Sequence, residues 1–265
     1  MIRSLPILVL LLAGVLPGVA GAAQPTPART PAKNVVLVHG AWADGSSWAQ
    51  VIPYLQAAGL HVTAVQNPLS SLADDLAATR RALALQDGPT VLVGHSYGGT
   101  VISESGLDPK VTALVYVAAR APDAGEDFAA LASGFPVAPV RAALETHAGY
   151  TTIPEQAFLD DFANGVSPKL ARTLHAVQQP IAADLFTGRT SVAAWKSKPS
   201  WYAVSRQDRT TAPELERFLA KRMHANTIEL DAGHLSMVSH PRQIAEMILQ
   251  AADPSATSAL SRSMP

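Results

Sequence analysis

From Asn34 onward, short runs of β-branched and other apolar residues alternate with longer stretches in which apolar residues recur with a helical period. The short runs predict six strands, at residues 35–38, 61–65, 90–93, 111–117, 201–204 and 226–230. The longer stretches predict helices near residues 47–58, 72–86, 211–223 and 241–251. Strands that are apolar throughout are buried on both faces. The alternation therefore indicates an α/β fold, a mainly parallel sheet of about six strands with helices on both faces.

Between Ala121 and Pro199 this alternation stops. The Phe, Leu and Trp residues there lie in segments of helical character, without a strand of comparable quality. Because predicted strands flank the segment, we expect a helical cap insertion over the carboxyl edge of the sheet, where ligands bind in open α/β folds. The alternative is a set of surface helices with an apolar seam of their own. The domain would span residues 34–251, with a flexible tail at 252–265.

The N-terminal segment has the layout of an exported protein. Arg3 precedes an apolar run, which a Pro-Gly pair and a stretch of small residues follow. This pattern predicts a signal peptide over residues 1–23, cleaved near Ala22 or Ala23, and then a Pro-rich linker at 24–33. The run is shorter than the roughly 20 residues of a membrane-spanning helix, so a stable membrane anchor is the weaker interpretation. We expect a periplasmic or extracellular protein.

The amino-acid composition excludes several classes of ligand, nucleophile and metal site. The 265 residues carry 20 Lys and Arg against 21 Asp and Glu, a net charge of −1, so no basic surplus exists to bind nucleic acid. The absence of cysteine excludes disulfides, thiolate nucleophiles and Cys-ligated metals. A covalent nucleophile must therefore be Ser, Thr, Lys or a carboxylate. The sequence has no phosphate-binding loop, dinucleotide fingerprint or metal-binding His pair, so we expect no cofactor and no metal.

The strongest chemical signal is a Gly-x-Ser-x-Gly sequence, Gly94 to Gly98, between a predicted strand and a helical stretch. A sharp strand-to-helix turn there would hold Ser96 in a strained backbone conformation, and the two glycines leave room where a Cβ would clash. The hydroxyl would project at the N-terminus of a helix, where free N–H groups favour negative charge. Ser96 is therefore the candidate nucleophile.

A serine nucleophile needs a general base, and eight His residues compete for that role. His234 follows the last predicted strand, so a short loop can bring it to the sheet edge that carries Ser96. His240 is the rival, but the proline directly after it indicates the start of the last helix. His39 and His95 lie inside turns and are expected to support them.

The base in turn needs an acid to orient it, and Asp208 lies just beyond the fifth predicted strand, at the same carboxyl edge. Asp231 immediately follows its own strand and lies too near His234 to fold back on the imidazole easily. Asp123 follows the fourth strand and stays an alternative, because an acid there would also lie at the correct edge. A capping or ion-pairing role is the alternative for Asp208 itself.

The order Ser96, Asp208, His234 is that of the α/β-hydrolase superfamily. Within it, the sequence resembles the plant methylesterase and hydroxynitrile lyase group and its bacterial carboxylesterase relatives, from Asn34 to about Ala251. The segments that carry the resemblance are Val36 to Trp42, Trp48, Gly94 to Gly99, Asp231 to His234 and Ser239 to Pro241. The resemblance implies the α/β-hydrolase fold and serine-hydrolase chemistry.

The resemblance also implies an oxyanion hole. In this family the loop after the first core strand and the residue after the nucleophile each supply one backbone N–H, which by position are those of Ala41 and Tyr97. Two such donors converging on a developing oxyanion contribute about 3 kcal/mol each to the transition state. Trp42 would flank the acyl pocket, with burial in the core as the alternative.

Acyl transfer through an acyl-enzyme on Ser96 is the leading hypothesis, which makes the protein a carboxylesterase. The alternative of cyanohydrin cleavage is disfavoured, because the S-selective lyases that the sequence resembles carry Lys after the catalytic His and Thr after the oxyanion-loop His. This chain has Leu235 and Gly40 there. A second alternative is a non-catalytic binding protein on a hydrolase scaffold. The apolar insertion, with Trp42 and Tyr97, suggests a small to medium-sized, uncharged and hydrophobic ester substrate.

Overall fold

The computed structural model describes residues 30–253, together with Met1. The expected signal peptide, most of the expected linker and nearly all of the expected tail lie outside the described residues. The described part contains nine strands: β1 (Asn34–Val38), β2 (His61–Ala64), β3 (Thr90–His95), β4 (Val111–Val117), β5 (Glu145–His147), β6 (Tyr150–Thr152), β7 (Ile181–Ala182), β8 (Ser200–Ser205) and β9 (Asn226–Leu230).

The first four strands and the last two form one parallel sheet in the order β2-β1-β3-β4-β8-β9. All six predicted strands are confirmed, with ends within two residues of those expected. The interior strands β1 and β3 are buried along their whole length, whereas the edge strands β2 and β9 are partly exposed. The strand order reverses between β1 and β3, and a crevice at their carboxyl ends is the usual ligand site of such sheets.

Nine α-helices occur among the described residues: α1 (Ile52–Ala57), α2 (Leu72–Ala84), α3 (Gly98–Ser105), α4 (Phe128–Ala132), α5 (Glu155–Ala157), α6 (Pro168–Ala176), α7 (Pro213–Arg222), α8 (Ser236–Ser239) and α9 (Pro241–Ala252). Short 3-10 segments lie at Gly45–Trp48, Pro139–Ala143, Leu185–Thr187 and Ala194–Lys196, and a π turn at Phe158–Phe162. Helix α1 packs against α9, helix α2 packs against α3, and members of both pairs contact the sheet. Between residues 30 and 253, no helix has the length and apolar character needed to cross a membrane.

Two predicted helices begin later than expected. In place of the helix expected from residue 47, the chain forms a 3-10 turn at Gly45–Trp48 and then helix α1. The Asp44 carboxylate caps the 3-10 turn by accepting the N–H of Ser46 at 2.8 Å. The helix expected from Thr211 begins at Pro213, with Ala212 as its N-cap residue and no side-chain cap. The capping-box spacing at this helix was therefore misleading, since the residues before Pro213 belong to a loop.

The segment between β4 and β8 differs from the helical cap that we expected. Besides helices, it contains a three-stranded antiparallel sheet in the order β5-β6-β7. These strands have only two or three residues each and β5 is exposed throughout, so no apolar alternation marks them in the sequence. The hairpin between β5 and β6 turns at Ala148 and Gly149, which have φ angles of 50° and 81°.

Candidate active site

Ser96 occupies the sharp turn between β3 and α3. Its φ angle is 51°, in the left-handed region that residues other than glycine rarely adopt, as the sequence motif predicted. The turn is held by the backbone: the Ser96 N–H donates to the carbonyl of Val117 at 3.1 Å, and the Ser96 carbonyl accepts the N–H groups of Gly99 and Arg120, both at 3.0 Å. The backbone around the hydroxyl is thus tied to β4 and to the loop that follows it.

This turn leaves no space for a side chain at Gly98. A Cβ there would lie 2.6 Å from the carbonyl oxygen of Val38 and 2.8 Å from that of His39, both backbone atoms. We expect Gly98→Ala to lower the free energy of unfolding by about 3 kcal/mol or more, measured by urea denaturation. Gly88→Ala is the matched control, because a Cβ there meets nothing within 4 Å, and it should change stability by less than about 1 kcal/mol. Equal stability of the two variants would contradict this account of the turn.

His234 and Asp208 are brought together by the loops that follow β9 and β8. Nδ1 of His234 lies 2.6 Å from Oδ2 of Asp208, and both side chains are completely buried. Oδ1 of Asp208 accepts the backbone N–H groups of Thr210 and Thr211, at 2.6 and 2.8 Å. A carboxylate only accepts hydrogen bonds, so the imidazole proton resides on Nδ1 and leaves Nε2 as a proton acceptor.

Ser96 lies at the same carboxyl edge of the sheet as this pair. Nε2 of His234 is buried and has no hydrogen-bond partner among residues 30–253, so no hydrogen bond to the Ser96 hydroxyl is formed. His95 links the two loops instead, because its Nε2 lies 3.1 Å from the carbonyl oxygen of His234 and donates to it. Hydrogen bonds of catalytic groups are often long without substrate and tighten when it binds.

The alternative acids are engaged elsewhere. Asp123 lies at the surface, where its carboxylate pairs with Lys196 at 2.6 Å. Asp231 accepts the side-chain amide of Gln207 at 2.8 Å and is exposed. Neither contacts His234, so Asp208 is the acid that the fold delivers to the imidazole.

The rival histidine has a structural position. His240 is the N-cap residue of α9, which begins directly after it, as the proline in the sequence indicated. Its Nδ1 lies 2.9 Å from the hydroxyl oxygen of Ser239, its neighbour in the chain. No carboxylate among the described residues pairs with His240, in contrast to His234.

The N–H groups expected to form an oxyanion hole are available. Ala41 and Tyr97 are both buried, and neither backbone N–H donates to another of the described residues. His39 holds the loop before Ala41: its Nδ1 donates to the carbonyl of Gly40 at 2.8 Å, and its Nε2 accepts the N–H of Asn67 at 2.9 Å. Burial lowers the pKa of His39, which favours the neutral ring that these two bonds require.

With this geometry established, comparison with known proteins identifies the family. A family model described as "Alpha/beta hydrolase family" matches residues 35–247. The chain belongs to the α/β-hydrolase family. The matched residues include Ser96, Asp208 and His234, and they extend over almost the whole of the central sheet.

Two curated relatives of this α/β hydrolase are named as esterases. A carbendazim hydrolyzing esterase of Nocardioides sp. (strain SG-4G) is 33% identical over 114 residues, which cover 37% of this chain and less than half, 46%, of the relative. Esterase PIR7B of Oryza sativa subsp. japonica is 24% identical over 270 residues, covering 83% of this chain and 96% of the relative. The crystal structure of polyneuridine aldehyde esterase has a TM-score of 0.72 at 20% identity, covers 84% of this chain and 100% of its own, and shows the same fold.

A buried carboxyl that the sequence pattern did not single out supports the turn that carries Ser96. Oδ2 of Asp75, on α2, accepts the phenol hydroxyl of Tyr97 at 2.9 Å, and Oδ1 accepts the N–H of Leu69 at 2.9 Å. Burial raises the pKa of Asp75 to about 6. Asp75 thus fixes the side chain of the residue next to Ser96. The signal was an acidic residue on the apolar face of a predicted helix.

A second missed carboxyl, Glu216, lies on α7 near Asp208. It is completely buried, and its Oε2 accepts the N–H of Ser205, the last residue of β8, at 2.9 Å. Burial and the neighbouring charge of Asp208 raise the pKa of Glu216 well above its usual range. The neutral acid is therefore favoured, so Glu216 adds no second negative charge beside the pair of Asp208 and His234.

Glu216→Gln tests this protonation state. A carboxyl with a raised pKa in the folded protein stabilises the fold fully below its unfolded pKa, and this contribution is lost as the pH rises toward the folded value. Between pH 5 and pH 8 the wild type should therefore lose stability, by more than about 1 kcal/mol, relative to Glu216→Gln, which cannot ionise. Urea unfolding at the two pH values measures this, with the exposed Glu246→Gln as control. Parallel pH profiles for wild type and Glu216→Gln would contradict the assignment.

A cavity of about 550 Å³ opens beside Ser96. Its lining is mostly apolar and includes Trp42, whose indole N–H donates to the carbonyl of Thr151 in β6 at 3.0 Å. Trp42 thereby connects the loop after β1 to the segment between β4 and β8. Arg120 and Arg141 line the same cavity, which nothing in the sequence pattern indicated.

Proposed function

We propose that the protein is a carboxylesterase that works through an acyl-enzyme on Ser96. The observation that carries this proposal is the buried hydrogen bond between Asp208 and Nδ1 of His234, which leaves Nε2 free to accept a proton. Ser96, with its strained backbone, lies at the same edge of the sheet. A serine hydroxyl is a weak nucleophile until an adjacent base accepts its proton. The esterase names of the two relatives support the same chemistry.

The proposed reaction has two halves. In the first, His234 Nε2 takes the proton of Ser96 as Oγ bonds to the ester carbonyl carbon, and the N–H groups of Ala41 and Tyr97 receive the oxyanion. Collapse expels the alcohol, which leaves with the proton from His234. In the second half, water attacks the acyl-enzyme by the same route, releases the carboxylic acid and restores Ser96. Asp208 orients the imidazole and stabilises its protonated form.

The alternatives gain no support from these contacts. The position after His234, where the S-selective lyases carry lysine, is occupied by the buried Leu235. A merely binding role gives no reason for the buried hydrogen bond between Asp208 and His234, which orients the imidazole as a general base requires.

Hydrolysis of 4-nitrophenyl acetate, butyrate and octanoate by the purified protein tests the proposal. We expect saturable release of nitrophenol with each ester, and little release of cyanide from mandelonitrile under the same conditions. Cyanide release without ester hydrolysis would favour the lyase alternative. Saturable binding of the esters with no turnover of either substrate class would favour the binding protein.

We also propose that the chain is exported, with a signal peptide at residues 1–23, a linker at 24–33 and a cap inserted at 121–199. Support comes from the N-terminal sequence pattern, and the absence of cysteine is compatible with export. N-terminal sequencing of protein secreted by a bacterial host should show a mature chain that begins just after Ala22 or Ala23. An intact Met1 in protein that remains in the cytoplasm would contradict this proposal.

A further inference from the structure

Arg120 carries a positive charge into the cavity beside Ser96 without an acidic partner. It lines the cavity with Arg141, and no salt bridge to either arginine occurs within residues 30–253. All 21 Asp and Glu residues of the chain lie within that range, so the undescribed residues contribute no acidic side chain. The cavity therefore has two cations and no matching carboxylate.

Aromatic rings hold Arg120 in place. Its guanidinium carbon lies 3.9 Å from the ring centroid of Phe186 and 5.1 Å from that of Phe128. Both rings line the same cavity, and stacking on aromatic faces offsets part of the desolvation of a guanidinium. The backbone N–H of Arg120 donates to the Ser96 carbonyl at 3.0 Å, which fixes the backbone of Arg120 next to the proposed nucleophile.

The charge of Arg120 persists at neutral pH. Burial, and secondly the nearby positive charge of Arg141, lower its pKa to about 10, so the guanidinium stays protonated under ordinary conditions. A partly buried cation without a counter-charge is costly. That cost is repaid when an anion enters the cavity and forms charge-assisted hydrogen bonds with the fork of N–H donors.

We propose that the preferred substrate is an ester that carries a free carboxylate on an apolar body, with Arg120 binding the carboxylate, in place of the uncharged ester that the sequence suggested. This inference rests on the proposed esterase function and names its substrate class. Apart from the two arginines, the cavity offers mainly apolar contacts, among them Phe128, Val140 and Leu215, which suit a hydrocarbon or aryl spacer. A single partly buried cation matches a monoanion better than a phosphate dianion. Arg141 is exposed and would attract the anion electrostatically.

Two matched pairs of esters test the proposal, one for each side of the scissile bond. Mono-4-nitrophenyl adipate is compared with 4-nitrophenyl hexanoate, and 4-acetoxybenzoate with 4-methylphenyl acetate. The members of each pair differ mainly in the carboxylate. Initial rates are corrected for hydrolysis without enzyme, and kcat/KM is measured for wild type, Arg120→Met and Arg120→Lys. Arg242→Met, at an exposed site on α9, is the control for loss of an arginine.

We expect the wild type to favour the carboxylate ester in at least one pair. Arg120→Met should reduce this preference, the ratio of the two kcat/KM values, by about 10- to 100-fold. The change should come from a higher KM for the carboxylate ester, since hydrogen bonds to charged groups contribute a binding energy of that size. Arg120→Lys keeps the charge but not the fork of donors, so it should retain part of the preference, and Arg242→Met should retain all of it.

Two outcomes would overturn the inference. The first is a wild type that hydrolyses both pairs without preference for the charged member. The second is an Arg120→Met variant with an unchanged ratio, whether its rates stay at the wild-type level or fall equally for both esters, and an equal fall would mean a structural role. If the wild type hydrolyses none of the four esters, the proposed esterase function itself fails, so the two failures can be told apart.

Discussion

Replacing Ser96 with alanine is expected to lower kcat for 4-nitrophenyl butyrate by about a million-fold, to the level left by the oxyanion hole and binding alone. The variant lacks the oxygen that forms the acyl-enzyme, whereas the N–H groups of Ala41 and Tyr97 remain. Ser96 is only partly buried, and its hydroxyl forms no hydrogen bond with another of the described residues, so the fold should persist. Purified protein and a continuous nitrophenol assay measure the loss.

The control for this experiment is Ser197→Ala, which removes a hydroxyl that donates to the Ala194 carbonyl at 3.2 Å. It should keep wild-type kcat. Thermal unfolding of Ser96→Ala should match that of the wild type, which separates loss of chemistry from loss of structure. Near-normal turnover by a correctly folded Ser96→Ala variant would remove Ser96 from the mechanism.

Asp208→Asn should lower kcat by about 10,000-fold with little change in shape. The N–H groups of Thr210 and Thr211 select an oxygen at the Oδ1 position, so the new amide nitrogen must face Nδ1 of His234. Two donors cannot bond to each other. The imidazole proton is therefore driven to Nε2, where the ring can no longer accept a proton from Ser96.

Asp231→Asn is the matched control, since this exposed acid lies three residues before His234 in the chain but bonds to Gln207. Its kcat should stay close to that of the wild type. A similar loss in both variants would show that general negative charge near the histidine matters rather than one oriented carboxylate. A small loss in Asp208→Asn would exclude Asp208 as the orienting acid.

The central sheet and the placement of the three candidate site residues at its carboxyl edge could be predicted from the sequence because their signals are local. Each buried strand has its own apolar run. Ser96 directly follows β3, and Asp208 and His234 lie three and four residues beyond the ends of β8 and β9, at the same edge of the sheet. Thr211 shows where local signals fail. Its spacing to Glu214 is that of a capping box, but its N–H is used by Asp208, a contact that only the folded loop creates.

The features that could not be predicted depend on contacts between distant segments. Asp75 and Glu216 look like ordinary helix acids until burial removes their water, and Arg120 looks like a surface cation until Phe128 and Phe186 enclose it. The small sheet of β5 to β7 lacks an apolar alternation, because its strands have only two or three residues each and β5 is exposed throughout.

Covalent labelling tests most directly whether Ser96 is a nucleophile activated by His234. The protein is treated with an alkyl fluorophosphonate, which phosphonylates activated serines, and is then digested and analysed by peptide mass spectrometry. We expect one phosphonyl group per chain, located on Ser96, with activity lost in proportion to labelling and with far slower labelling of His234→Ala. Full hydrolytic activity in quantitatively labelled protein, or a label on another residue while Ser96 stays unmodified, would contradict the acyl-enzyme mechanism.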